Sequence, residues 1–495
     1  MSETLAALKT ALAPKPGMKR IPLPLESYEY LSPPLTQKRL LNLYAEAAPD
    51  DSRTAAALVA TAGLHPYGIT FADGPVTAIN SDQPGILYAV SGTHFYRATR
   101  PFPSPDFVVE DLGEVGTPSG ADYAQNLMPT IASGITGCVV CIPPNAFTCT
   151  HTGLLNQIGG DFPGANSVTY LDGYWVFTSN DIDGNFFCSR LLDPNDFDAL
   201  DFAFTDAVPN VARRVLTLKG ELWFMGDMAT EIWYNAGSSG LELTPGTSFF
   251  PFRRLPGGVI PYGTDSIKTC AILDGSMFWV ARNGTVFRSV GYKAERISTH
   301  SIEEALRRIA APNAVCGLAY VQGGHSFYVV TYATTTLVYD VATRVWHERS
   351  SAANSAWLPV SIAQYGDGPL FGASNSGRLL TPIPFLETDD GVLQTRLVQL
   401  PPLWAGTSRA FCSRLEVEME LGQPRNPSSV QLEWSDDGGY TWVPGRVMAA
   451  DSAGHYRKRV VTTRLGSFRQ RTFRLVMQGH TVIYGVDADI VGGLH

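Results

Sequence analysis

The chain has 495 residues, 44% of them apolar and 11% aromatic, with 47 glycines and 34 prolines. That length gives two or three domains as the starting expectation, and the apolar fraction excludes wholesale disorder. A formal charge of −9 at pH 7 argues against a chain whose task is gripping nucleic-acid phosphates, and leaves open a surface past which nucleic acid slides without sticking.

Met1 to Lys19 is polar and proline-containing and lacks the apolar core of a signal peptide. Within it, Leu5 to Leu12 is predicted as a short helix ended by Pro14 and Pro16. No run approaches the ~20 apolar residues that span a bilayer, so membrane insertion is not expected. Seven cysteines, scattered from Cys138 to Cys412, read as reduced thiols made in a cytosolic compartment. Residues 1–64 carry little repeat character and are expected to form an arm, with Gln37 to Glu46 packing on a larger body.

Across residues 65–389 one hairpin phrase recurs. It reads Leu171-Asp172-Gly173-Tyr174-Trp175-Val176-Phe177, then Leu218-Lys219-Gly220-Glu221-Leu222-Trp223-Phe224, then Leu273-Asp274-Gly275-Ser276-Met277-Phe278-Trp279. Looser copies are Val321-Gln322-Gly323-Gly324-His325-Ser326-Phe327 and Tyr365-Gly366-Asp367-Gly368, and an upstream one covers Gly85 to Arg97. The starts lie roughly 44–55 residues apart, close to one β-propeller blade. A mainly β chain with a propeller of six or seven blades and few short helices is the resulting expectation. Asn283-Gly284 is expected to form a two-residue type I′ turn, because both central positions of that turn need φ > 0. Two features interrupt the repeats. Ala236 to Gly263 is Gly/Ser/Pro-rich and reads as an insertion for contacts. Ser301 to Ile309 reads as a helix, with Ser301 and Glu304 at capping-box spacing and Pro312 beyond its end.

Residues 390–495 change texture and read as a separate antiparallel β-domain, the alternative being that part of them supplies a closing blade. Leu415, Val417, Met419 and Leu421 alternate with charged residues, as in a strand with one wet face. Ser435, Asp437, Gly439 and Trp442 match an Asp-box, whose side chains bond backbone N–H groups across a tight turn. It reads as a fold element. Arg457, Lys458, Arg459, Arg464, Arg469, Arg471 and Arg474 form a run without an acidic residue, either a partner-contacting face or the solvated side of alternating strands.

Catalytic, metal and cofactor readings are weak. Cys138, Cys141, Cys149 and His151 have zinc-site composition, but the first two flank valines in a strand-like stretch and read as buried thiols. Leu192 to Phe202 lacks the ligand frame of a calcium loop and reads as an acidic exposed loop. Nucleophile-elbow, phosphate-loop and zinc-protease motifs are missing, so no enzyme activity, metal or cofactor is expected. The alternative kept open is a glycan-binding or sialidase-like propeller at the host surface, on the Asp-box and on Arg20-Ile21-Pro22.

Several ordered elements carry a family resemblance. They are Arg39-Leu40-Leu41-Asn42-Leu43-Tyr44, Thr61-Ala62-Gly63-Leu64, Gly226-Asp227-Met228-Ala229-Thr230-Glu231-Ile232-Trp233-Tyr234, Pro256-Gly257-Gly258 and Ile297-Ser298-Thr299-His300-Ser301-Ile302-Glu303-Glu304. Trp434 to Trp442, Arg464-Leu465-Gly466 and Phe473-Arg474-Leu475 extend them to the carboxyl end. In this order they resemble the packaged-DNA stabilisation proteins, or tail hub (nozzle) proteins, of short-tailed bacteriophages. Ala62 departs from that family's Thr-Pro-Gly-Leu pattern. The resemblance implies a structural virion protein of the tail, assembled in the host cytoplasm as a homohexamer below the portal adaptor. It implies a role in extending the DNA channel, retaining the genome, and docking tail fibres or spikes and a needle or plug. Genomic DNA would pass without sequence-specific binding.

Overall fold

The recurring phrase folds as its turn chemistry requires. Asp172 and Gly173 have φ of 51° and 90°, Lys219 and Gly220 55° and 75°, Asp274 and Gly275 49° and 62°. Two successive positive φ values make type I′ turns, whose twist matches that of the flanking strands. Asn283-Gly284 departs from expectation: Gly284 alone is left-handed, at 80°. The turn instead spans Ala281 to Thr285, closed by Ala281 N–H on the Thr285 carbonyl, while Asn283 Oδ1 accepts the Thr285 N–H.

The computed structural model describes residues 18–29, 37–49, 52, 54–81, 85–101, 106–118, 127–180, 184–198, 201–237, 250–309, 315–352, 355–366, 368–423, 425–427, 429–450, 454, 456 and 459–492. The helix expected over Leu5 to Leu12 lies outside them. The chain divides into two compact units.

The first unit comprises residues 66–333 and 358–381. Five four-stranded antiparallel sheets follow in chain order, running Val76–Glu114, Thr130–Gln157, Ala165–Phe204, Ala212–Ile260 and Ala271–Arg296. A sixth begins with the hairpin Cys316–Gln322 and His325–Tyr332, and a seventh holds Pro359–Tyr365, Gly368–Ala373 and Arg378–Ile383. First strands of neighbouring sheets touch. Asn80 Nδ2 donates to Ser133 Oγ at 3.0 Å, the Val168 N–H to Thr130 Oγ1 at 3.1 Å, and Thr169 and Thr217 share a 2.8 Å hydroxyl bond. Ser361 Oγ donates to the Val76 carbonyl at 2.6 Å, joining the seventh sheet to the first and closing the circle. This is a seven-bladed β-propeller.

Apolar cores fill the wedges between blades. Phe186, Val215 and Phe224 pack between blades three and four, and Trp223, Met277 and Trp279 between four and five. Ile69, Phe71, Leu87 and Leu379 seal blades seven and one. The fourth strand of blade seven is Gly63–Thr70. The closing strand therefore comes from the amino-terminal side, not from the carboxyl-terminal domain. The Ala236–Gly263 stretch also differs from expectation: Phe252–Ile260 is the ordinary outer strand of blade four, and a bulge absorbs its Pro-Gly-Gly. Residues 238–249 lie outside the described residues.

The helix, α1, runs His300–Arg307 with Thr299 at its N-cap, so the capping box on Ser301 and Glu304 is not formed. Buried Glu303 is fixed at the start instead, accepting Arg296 Nε and Nη2 at 2.6 and 2.7 Å and Ser298 Oγ at 2.6 Å. Glu304 pairs with Arg307 and Arg308.

The second unit comprises residues 1–65, 334–357 and 382–495. One sheet orders Leu43–Ala47, Ala56–Ala60, Val482–Val491, Ala410–Met419 and Val460–Phe468, with Met18–Ile21 added on Val482–Val491. The other runs Thr335–Asp340, Val345–Arg349, Gln37–Leu41, Arg396–Gln399, Gln470–Met477, Ser429–Ser435 and Val443–Ala449. Leu415, Val417 and Val486 from the first share one core with Val398, Leu432 and Leu475 from the second, which makes a β-sandwich. Leu415, Val417, Met419 and Leu421 are all buried, as their alternation requires.

A buried polar latch holds Thr61–Leu64 in this unit. Asp389 accepts the Leu64 N–H at 2.9 Å, Gln394 Nε2 at 2.6 Å and Ser351 Oγ at 2.7 Å. Arg349 donates to the Ala62 carbonyl at 2.7 Å and lies 4.1 Å over the Trp357 ring. Burial pushes the Asp389 carboxyl up, against the pull of Arg349 and its donors.

Candidate functional site

Two sequence features, the Asp-box and the arginine run, meet in the sandwich. Ser435 ends one strand, and its hydroxyl donates to Asp437 at 2.6 Å while accepting the Gly439 N–H at 2.8 Å. Asp437 accepts the Thr441 N–H, and Trp442 Nε1 donates to the Gly439 carbonyl at 3.1 Å. These donors hold the Asp437 carboxyl well below the usual range. A side chain at Gly439 (φ +100°) would also collide with Gln37 Oε1, 2.6 Å from its Cβ position.

Arginines anchor this turn. Arg471 makes a bidentate pair with Asp436, both bonds 2.7 Å, and its buried guanidinium lies 4.8 Å from the Phe468 ring centre. Arg474 pairs with Glu433 and stacks 4.0 Å over Trp442. Arg459 reaches Glu416 at 3.4 Å. Arg464 and Arg469 are exposed. Arg457 and Lys458 lie outside the described residues. The run thus divides: Arg464 belongs to one sheet, Arg471 and Arg474 to the other, and Arg469 to the bend between them. Of the sialidase-like element, Arg20 is held by Asp487 at 2.8 and 2.9 Å and by Glu418 at 2.7 Å.

Cys138 and Cys141 sit on Gly137–Ile142, a strand buried at every position, where burial pushes the Cys141 thiol well up. His151 Nε2 bonds the Ile135 carbonyl. In the acidic stretch, Arg190 ties Asp198 at 2.6 Å and Asp201 at 3.3 Å.

Two surfaces were not singled out as sites by sequence reasoning. Trp404, Phe411 and Tyr440 are 41%, 58% and 68% exposed, and register places the first two on either side of the bend between Ser467 and Gln470. Trp404 pairs with Gln470, Phe411 with Ser467, and Tyr440 tips the Asp-box turn beside Arg471. Exposed Arg409, bonded to Ser467 at 3.1 Å, and Arg469 flank them. The second surface is electrostatic. Residues 76–210, blades one to three, hold 3 Lys/Arg against 15 Asp/Glu, whereas residues 211–333 hold 12 against 9. A whole-chain charge hides that division, and window counts expose it.

A family model described as Bacteriophage P22 Gp10, beta-propeller, matches residues 34–379, and one described as Bacteriophage P22 Gp10, beta-sandwich, matches residues 395–491. The chain belongs to the bacteriophage P22 Gp10 family. As a Gp10-family member it is a structural protein of the phage tail hub, associated with stabilisation of packaged DNA and with other virion components. Among curated protein sequences none matches it. Solved structures resembling this Gp10-family chain include the computationally designed Ika8 protein, at 11% identity and TM-score 0.39, covering 64% of this chain and 100% of that one. Another is YCF48 bound to D1 peptide, at 13% identity and TM-score 0.40, covering 65% and 96%. A third is the extracellular domain of BT4673 from B. thetaiotaomicron, at 9% identity and TM-score 0.41, covering 86% and 59%. Likenesses this distant carry no argument about function.

Proposed function

We propose that the protein is the tail nozzle: a ring of six copies below the portal adaptor that extends the DNA channel, retains the packaged genome, and docks fibres or spikes and a needle or plug. The observation that carries this reading is membership, over propeller and sandwich alike, in a family of DNA-stabilising tail-hub proteins. The physics is consistent with it. A chain of net charge −9, repeated around a ring, makes an acidic wall that repels phosphates, so DNA passes without adhering. Retention is then mechanical, by a constriction or plug, and ring closure needs head-to-tail contacts between copies. Exposed Arg464 and Arg469 are offered as partner-contacting residues.

The test is to assemble phage particles without this chain and follow their DNA. Particles should fill and then lose their genomes, and the purified protein should leave duplex DNA unretarded at about 50 mM salt. Particles that keep their DNA as well as wild type would sink the reading.

A further inference from the structure

We infer that the aromatic, cationic end of the sandwich docks on the acidic outer edge of blade three in a second copy of this chain. The inference rests on the ring reading above and names its contact surfaces.

The first surface is built like a binding hot spot. Trp404 and Phe411 stay 41% and 58% exposed on either side of the bend between Ser467 and Gln470, and Tyr440, on the Asp-box turn, is 68% exposed. Aromatic residues and arginine dominate the centres of protein interfaces, because they combine large contact area with directed hydrogen bonding. The cations there are Arg409 and Arg469, while the neighbouring carboxylates Asp436 and Asp437 are engaged by Arg471 and by the turn itself. The surface therefore presents apolar area with positive charge.

Blade three presents the complement. Phe202–Phe204 is the last strand of its sheet, paired on one side with Asn185–Cys188, and its other edge ends the sheet. Phe202 and Phe204 are each 42% exposed and meet edge to face at 5.5 Å. On the loop leading to that strand, Leu191 and Leu192 are exposed, followed by exposed Asp193 and Asp196. The loop's one cation, Arg190, is engaged with Asp198 and Asp201. An exposed apolar strand edge invites pairing unless something covers it. Its acidic rim favours a cationic cover and disfavours another acidic one.

A second copy fits better than an unrelated protein, because this chain supplies both halves of the match. Two different patches on one chain form a heterologous contact, the kind that propagates head to tail and closes into a ring.

The experiment is charge reversal and repair in the full-length chain. Copy number is read by native mass spectrometry of the protein alone and, in parallel, of purified tails. Arg409→Glu with Arg469→Glu should weaken assembly on the order of 100-fold. Asp193→Arg with Asp196→Arg should do the same, and all four changes together should restore it. Cysteines placed at Tyr440 and Phe204 should crosslink into a ladder that ends at the ring's copy number. Wild-type multimers that are indifferent to either reversal, or reversals that the combination leaves unrepaired, would overturn this inference while leaving the ring intact. Wild type that is monomeric both alone and in tails would overturn the ring reading itself.

Discussion

Replacing Gly63 by alanine tests the latch directly. A Cβ there would lie 2.4 Å from the Thr388 carbonyl oxygen and 2.8 Å from that of Leu386. Both obstacles are backbone, so no side chain can swing aside. The segment must either accept the overlap, which for an overpacked site costs about 1–3 kcal/mol, or shift. A shift stretches the Leu64 bond to Asp389 and the Arg349 bond to the Ala62 carbonyl. Hydrogen bonds to charged groups are worth about 1.5–3 kcal/mol each. Partial relief by both routes gives about 2–5 kcal/mol. For a unit of roughly 200 residues that lowers the melting temperature by about 5–15 °C. Differential scanning calorimetry of the full chain is the assay, with transitions fitted separately because two units need not unfold as one. Gly368→Ala is the control, since nothing lies within 4 Å of its Cβ position; that change should leave melting unchanged or slightly higher. Equal melting of the two variants would refute the steric argument.

Other expectations follow from charged groups in the sandwich. His480 is 9% exposed and packs on Phe385 at 4.7 Å; burial first, then Arg396 and Arg425, lower it to about 4. The unfolded imidazole titrates near 6.5, so stability is full above that pH and falls as pH drops toward 4, by about 3 kcal/mol in all. Melting curves between pH 7.5 and 4.5 should show this slope in wild type and a shallower one in His480→Gln; parallel slopes would contradict it. Arg471→Lys keeps the charge but loses the bidentate pair with Asp436 and the stacking on Phe468. It should cost about 1–2 kcal/mol in urea unfolding. Asp436→Asn, at a half-exposed carboxylate, should cost under about 1 kcal/mol. The reverse ranking would show that the stacking of Arg471 on Phe468 adds little beyond the pair.

The propeller was legible because its signal is local. Asp172-Gly173, Lys219-Gly220 and Asp274-Gly275 announce type I′ turns within a few residues of the aromatic strands they connect. The sandwich was legible only in part. Gln37–Leu41 pairs with Arg396–Gln399, and Met18–Ile21 with Val482–Val491. Alternation reveals a half-buried strand but not a partner hundreds of residues away. The capping box failed for a local reason: Ser301 and Glu304 have the right spacing, but Glu303 accepts from Arg296 seven residues upstream, and Thr299 takes the N-cap position. At the candidate site, the Asp-box motif was visible as a turn. Its link to Arg471 and Arg474 was not, because it depends on the register of Ser429–Ser435 against Gln470–Met477. The acidic sector needed only a count by segment.

Closure of the propeller by Gly63–Thr70 has a consequence for synthesis. That strand leaves the ribosome early, yet its neighbour Arg378–Ile383 follows some three hundred residues later. At about 5–20 residues per second the wait is roughly 15–60 s. Throughout it, five complete blades can form while the ring stays open and Ile69 and Phe71 lack their seventh-blade partners. The nascent chain is then a crescent with a sticky seam. Two such crescents on one message could exchange their closing strands, a hazard that ends only when the last blade is translated.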